Sequence, residues 1–415
     1  MTAAPAPAGA RPRRDVAILF STRIVRLFCY GFLSVILALY LVQVGLTERQ
    51  VGLLFTLTLA GDAGISLWLT TSADRFGRRR TLFLGALLMV IAGGAFLLTR
   101  NILLLMAAAI VGVISPSGNE IGPFLSVEQA GLAQLVPHAE RTRTFAWYNL
   151  AGSFATAAGA LAGGWLAQVL QSRGWSAVDS YRIVLAGYAL GGAALAALFL
   201  NLTGRVEVKA APATGAKLVL GLHRSRPVVL RLSALFALDA FAGGLIVQSM
   251  LAYWFHVRFG VDSGVLGSIF FGANILAGVS ALLAVRIAKR FGLINTMVFT
   301  HIPSNILLML VPLMPNLPLA IGVLLARFSI SQMDVPTRQS YTMAVVSPDE
   351  RSAAAGVTGI ARSVGAALSP ALTGLFLASQ SLFNLPFFLS GGLKIVYDLA
   401  LYRSFSRTKP PEEAP

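Results

Sequence analysis

Seven ionisable side chains stand where the sequence is otherwise apolar enough to lie inside a lipid bilayer. The acids are Asp62, Glu120, Glu128, Asp239 and Asp334, and the bases are Arg26 and Arg338; Arg23 and Arg362 lie closer to the ends of their apolar runs. A charge at the bilayer centre costs about 2.5–3.5 kcal/mol on insertion scales, so each one needs a partner or a task. A carboxylate desolvated without a cation takes up a proton near neutrality, whereas one beside an arginine stays ionised. An arginine in a cavity either binds an anion or acts as counter-ion to a carboxylate; both readings of Arg26 and Arg338 stand at this point.

The elements that hold these groups follow from composition. The 415 residues are 56% hydrophobic and 12% charged, with a mean hydropathy of +0.74. Soluble domains are about 25% charged. This chain cannot cover a water-facing surface, which excludes a soluble enzyme, a disordered protein and a nucleic-acid binder. Cys29 is the single cysteine, so no disulfide framework or CxxC metal site exists, and His138, His223, His256 and His301 are too scattered for a metal cluster. No GxxxxGK[ST] phosphate loop and no HExxH is present.

A bilayer-spanning helix needs about 20 mostly apolar residues. Twelve such runs are read at 18–45, 50–71, 82–99, 102–136, 144–170, 181–203, 229–256, 263–285, 293–313, 318–346, 353–381 and 385–404. With the N-terminus inside, 22 of the 33 basic residues fall on inner segments, 5 on outer ones and 6 within spans. The positive-inside rule then puts both termini in the cytoplasm, and the net charge of +16 becomes a topology signal toward an anionic bilayer. The expected organisation is a tail (1–17), a six-helix half (18–203), a polar linker (204–228), a second six-helix half (229–404) and a tail (405–415). The two halves echo each other. Shifting by 210 lays Glu140-Arg141 on Glu350-Arg351, and shifting by 215 lays Arg75-Phe76-Gly77 on Arg290-Phe291-Gly292. Six spans per half make these parallel repeats, related by an axis along the membrane normal.

Gly61 in span two, followed by Asp74-Arg75-Phe76-Gly77-Arg78-Arg79 in the next loop, resembles the signature of the major facilitator superfamily. Thr70 stands where that family usually has a second glycine, and the second-half counterpart replaces the acid with Lys289. The resemblance implies an all-α fold of twelve transmembrane helices in two pseudo-symmetric halves. It also implies a cytoplasmic latch built on Gly61, Asp74, Arg75, Gly77, Arg78 and Arg79. Spans one, four, seven and ten are implied to line a central cavity, and four of the five acids and both bases sit on those spans.

Spans four and ten carry breaks at matching places. Span four reads Ser115-Pro116-Ser117-Gly118-Asn119-Glu120-Ile121-Gly122-Pro123, and span ten Met333-Asp334-Val335-Pro336. Prolines and glycines interrupt helices, and paired discontinuities point to a binding site. Asn119 joins Glu120 there. The repeat sets Glu128 opposite Arg338, and similar depths suggest Asp239 with Arg26; Lys394 and Asp398, four apart on span twelve, are expected to satisfy each other. Glu120 has no basic counterpart and is the first candidate for a proton carrier, followed by Asp62. Phe28, Tyr30, Trp147, Tyr148, Tyr253 and Trp254 are read either as a pocket lining or as ordinary packing.

The expectation is a monomeric secondary transporter in a bacterial inner (plasma) membrane, with no cofactor, metal or nucleic acid. It moves a small molecule by alternating access coupled to protons. The resemblance favours efflux in the manner of drug:proton antiporters. Uptake by symport, passive uniport, an intramembrane enzyme and a non-transporting sensor are the rivals.

Overall fold

The computed structural model describes residues 10–119, 124–137, 140–207, 222–347 and 350–406, without the side chains of 10–12, 70–75, 142 and 352. Among them the chain is helical, with no strand. Span one is α1 (Ala10–Ser34) and α2 (Leu37–Gln43); spans two and three are α3 (Glu48–Phe76) and α4 (Arg78–Leu98). Span four is α5 (Ile102–Val111) and α6 (Phe124–Leu135), and spans five and six are α7 (Arg141–Ser172) and α8 (Ala177–Leu200). The second half repeats this plan. Span seven is α9 (Arg226–Gly244) and α10 (Gln248–Phe259), span eight α11 (Ser263–Phe291), span nine α12 (Leu293–Leu310). Span ten is α13 (Leu317–Phe328) and α14 (Asp334–Ala344), span eleven α15 (Arg351–Leu368) and α16 (Pro370–Leu377), and span twelve α17 (Leu385–Phe405).

Ten of these spans are long and apolar enough, by length and composition, to cross a membrane. Spans four and ten begin as the shorter apolar helices Ile102–Val111 and Leu317–Phe328, because both break in mid-course, span four through its prolines and glycines and span ten just ahead of Pro336, which lies in the first turn of α14. Spans one and seven break too, after Ser34 and after Gly244, which the sequence reading did not foresee.

Helices entering from the face opposite the chain ends carry polar caps. Asn101, Asp262 and Asn316 accept backbone N–H groups at the starts of α5, α11 and α13, and Thr47 and Gln50 satisfy each other's backbone N–H groups at α3. Such caps satisfy the N–H groups a helix start leaves open. On the face carrying the chain ends, Gly77 and Gly292 take equivalent left-handed turns (φ +93° and +85°) that an L side chain would strain.

Helices α1, α4, α7 and α8 pack together in the first half, and α9, α12, α15 and α17 in the second. The halves meet through α7 against α11 and α3 against α15 and α16. A Cβ at Gly164 would collide with Ser263 and Gly267, and one at Gly52 with Pro370 and Gly374. Small residues thus let two helix pairs touch backbone to backbone, as membrane packing favours.

Candidate functional site

In the first half, one buried carboxylate is fully coordinated. Arg26 of α1 grips Glu128 of α6 with both guanidinium nitrogens, at 2.8 and 2.7 Å, and both side chains are 0% exposed. Two parallel N–H···O bonds match the planar fork of arginine to the carboxylate. Thr22 donates to the same carboxylate at 2.7 Å, and the Tyr148 hydroxyl donates to its other oxygen. The Arg26 guanidinium also lies 4.6 Å from the centre of the Phe124 ring. Arg23, next to Thr22 and one turn before Arg26, covers the Tyr148 ring at 4.3 Å and donates to Asn149.

In the second half, one buried carboxylate gathers three cations. Lys394 of α17 lies 2.6 Å from Asp239 of α9, Arg362 of α15 3.0 Å and Arg338 of α14 3.2 Å. Arg338 is shared with Asp334, one turn back on its own helix, at 2.7 Å. The Arg362 side chain is 34% exposed, whereas those of Arg338 and Lys394 are 8% and 11%. Behind this cluster, His301 of α12 is paired with Asp398 of α17 at 2.9 Å, and Asn305 donates to the other carboxylate oxygen.

These pairings correct three expectations. Glu128 does not meet Arg338 across a cavity, and Asp239 does not meet Arg26; each acid is neutralised inside its own half. Lys394 turns toward Asp239, leaving Asp398 to His301. A pair closed within one six-helix bundle survives any movement of one bundle against the other, and a pair spanning them would not. Arg26 and Arg338 therefore act here as counter-ions. Of the aromatic candidates, Tyr30, Tyr148, Tyr253 and Trp254 are packed away, Phe28 is half-buried, and Trp147 is exposed.

Glu120 lies outside the described residues, as do the side chains of Asp74 and Arg75. Neighbouring Asn119 is exposed, its carbonyl accepting from Ser115 at 2.8 Å. Asp62 is half-buried on α3 and accepts from Ser66 at 3.2 Å. Gly61, one residue before it, presses on the backbone of Ile110, so a side chain there would separate α3 from α5. Among the described residues, no group of three or more His, Cys, Asp or Glu side chains could hold a metal ion.

Several hydrogen bonds join the two halves on the side away from the chain ends. Ser249, just past the break in span seven, donates through its hydroxyl and backbone N–H to the carbonyl of Pro116, at 2.7 and 2.9 Å; its hydroxyl also lies 2.6 Å from the Ser34 carbonyl. Those carbonyls are freed by the breaks in spans four and one. Gln248 donates to the Ser34 hydroxyl, Tyr253 to Glu48, and Trp165 to Ser268.

The opposite face is organised by two carboxylates the sequence reading did not single out for this work. Glu207 accepts the backbone N–H groups of Arg78 and Arg79 at the start of α4, at 2.6 and 3.1 Å, while the Arg78 side chain reaches Gln134 and the Arg79 side chain the Leu200 carbonyl. Glu350 accepts from the backbone of His223, Arg224 and Ser225 ahead of α9. Burial raises the Glu350 pKa, but hydrogen bonds from the Ser225 side chain and these backbone groups outweigh it and hold the carboxyl at about 2.

A two-fold bundle of broken helices, sealed between its halves on one face and carrying buried charge beside the breaks, defines a polytopic membrane protein of the transporter class. The Major Facilitator Superfamily profile matches residues 19–369 and 259–415, and the chain belongs to that family of transporters. It is 32% identical to an uncharacterized membrane protein of Saccharomyces cerevisiae, over 94% of this chain and 93% of that one. The fold is similar to that of a bacterial homolog of the human lysosomal transporter Spinster in an inward-facing, unoccupied conformation, with a TM-score of 0.75 and 16% identity over 97% of this chain and 99% of that chain. It is also similar to a D-xylose-proton symporter, with a TM-score of 0.72 and 16% identity over 96% and 98% of the two chains.

Proposed function

We propose that this protein is a proton-coupled secondary transporter that carries a small organic molecule by alternating access. The observation that supports it is the closure of each buried charge network within its own half, around helices broken in mid-span. The two halves can then exchange the seam on one face for a seam on the other without exposing an unpaired charge, whose cost would be several kcal/mol. The excess of basic residues on the segments beside the chain ends assigns that face to the cytoplasm, so the sealed face is the outer one.

Glu120 is our first candidate for the proton carrier, by elimination. Glu128 is saturated by Arg26, Thr22 and Tyr148, and Asp239 and Asp334 are held by cations. Asp62 is the second candidate. Export in exchange for protons is the direction we assign.

The test is purified protein in liposomes with an internal pH dye, challenged with a panel of small organic compounds in both gradient directions. Substrate-driven proton movement in the wild type, abolished in Glu120→Gln, is the expected result. Equal substrate movement in both proteins without proton flux would make the protein a facilitator. Proton and substrate moving in the same direction would make it a symporter.

A further inference from the structure

Of the six basic residues inside the spans, five are held. Arg26, Arg338, Arg362 and Lys394 each reach a carboxylate, and Arg23 reaches the Asn149 amide oxygen. The sixth is Arg327, in the last turn of α13. Among the described residues it forms no ion pair and donates no hydrogen bond, and its Nε is buried without a partner. Arg327 lies ten residues past Leu317, on a helix that starts from the sealed face. At 1.5 Å per residue that is about 15 Å deep, the middle of the hydrocarbon core.

A lone guanidinium at that depth is costly, and such groups face the bundle interior or a water-filled cavity. The carbonyls that end α13 offer it partial negative charge, and the Phe328 ring lies 4.9 Å from it. Neither supplies a full counter-charge. Ala320, Leu324, Arg327 and Ser331 follow one another at helical spacing on the inward stripe of span ten; Arg327 is half-buried and the other three are buried. Ser331 stands within the break, and its hydroxyl too is buried without a partner among the described residues. Shifted by 210, Arg327 falls on Ser117, inside the break of span four. Paired breaks of this kind mark binding sites.

The charge balance of the second half points the same way. Inside its spans four cations, Arg327, Arg338, Arg362 and Lys394, face three carboxylates, Asp239, Asp334 and Asp398. Asp334, the acid closest to Arg327 in sequence, is bound to Arg338, and Asp398 is paired with His301. One further negative charge balances the half, and Arg327 is the cation left to receive it.

We propose that Arg327 and Ser331 bind the carboxylate of an organic acid, which makes a monocarboxylate with an apolar body the substrate class. This rests on the reading of the protein as a carrier of small organic molecules. One arginine fork matches the two oxygens of a carboxylate, and the Ser331 hydroxyl is a further donor. A phosphate dianion would bury a second charge with no cation left for it. Leu325 and Phe328, half-buried beside Arg327, leave apolar surface for the body of the acid.

Calorimetric titration of the whole protein in nanodiscs tests this, with benzoate and hexanoate set against benzamide and hexanamide, which keep the shape and lack the charge. Wild type is expected to bind the acids at least about tenfold more tightly than the amides. Arg327→Met is expected to lose that preference, and Arg327→Lys to keep part of it. Acids that bind wild type no better than amides overturn the proposal, as does a preference that survives in Arg327→Met. Inorganic phosphate that binds as tightly as benzoate overturns the assignment to an organic acid. Without ligand, Arg327→Met is expected to melt at or above the wild-type midpoint, because it removes a buried charge that has no partner. A fall as large as that of Arg26→Gln would make Arg327 a structural group and overturn the proposal. Binding is read with no proton gradient. A protein that binds acids through Arg327 yet moves no protons keeps this inference and loses the coupling, and proton flux dependent on Glu120 survives the failure of the Arg327 site.

Discussion

Glu128 and Asp239 are both buried carboxylates on spans expected to line the centre of the bundle, yet they are held in opposite ways. Glu128 sits on span four and takes its cation from span one; Asp239 sits on span seven and takes one of its cations from span ten. The repeat relates these places. Shifted by 210, Glu128 falls on Arg338, and Arg26 falls on Phe236, one turn before Asp239. The ring of Phe236 in turn stacks on Arg338, as Phe124 does on Arg26. The sign of the pair is thus inverted between the halves while its location is kept. The first half holds one acid, one base and two hydroxyl donors with no access to water. The second holds an excess of cations, and one of them, Arg362, is 34% exposed. A saturated pair fixes a helix junction; an over-supplied one can lose a member and persist.

The sharpest way to break this contrast is to remove one carboxylate. Glu128→Gln leaves Arg26 buried without a counter-charge and is expected to cost about 3–5 kcal/mol, read as a lowered thermal midpoint in detergent. The double variant Arg26→Met with Glu128→Met is expected to recover most of that loss, since burying neither charge avoids the penalty. A double variant as unstable as the single one would mean that the pair positions the helices as well as neutralising each other.

A smaller effect separates the two halves. Arg362→Gln is expected to cost no more than about 1 kcal/mol, because Asp239 keeps Lys394 and Arg338 and the lost group already shares its charge with solvent. Arg26→Gln in the same assay should be several-fold more damaging. Equal losses would erase the distinction between a saturated and an over-supplied carboxylate.

The smallest effect concerns the equivalent pair Glu140 and Glu350, of which Glu350 alone is buried. Its carboxyl is held at about 2, below the ordinary glutamate value of 4.5. The attachment of residues 223–225 is therefore complete above pH 4.5 and is lost as pH falls from there through about 2. Pepsin cleavage in this segment should appear only toward the lower end of that window. In Glu350→Gln it should appear throughout. Cleavage already complete at pH 4.5 in the wild type would remove Glu350 as the anchor.

Hydropathy made the spans legible, and the prolines and glycines around Pro116 and the single proline Pro336 made the breaks in spans four and ten legible, since both signals are local. The breaks after Ser34 and Gly244 were not, because the carbonyls they free are satisfied by residues far along the chain, such as Ser249. Charged residues announced themselves, but their partners did not. Arg26 and Glu128 are 102 positions apart, and Lys394 and Asp239 155. Only the packing of one helix on another decides between such candidates. Asp334 and Arg338 were the exception in principle: four apart on one helix, they had a spacing that already announces a pair. Glu207 lay in a stretch read as linker, where no periodicity marks a capping carboxylate.

The two glycine-to-glycine contacts between the halves, at Gly164 with Gly267 and at Gly52 with Gly374, have a mechanical consequence. Two points of contact define a line, and bodies that touch at both can neither slide apart nor shear without losing one of them. What remains is rotation about that line, a single hinge-like freedom. Both points lie toward the face away from the chain ends, so a rotation of a few degrees there becomes a larger displacement at the chain-end face. A bulky residue at either glycine would act as a wedge in the bearing, fixing the angle between the halves while leaving each half folded.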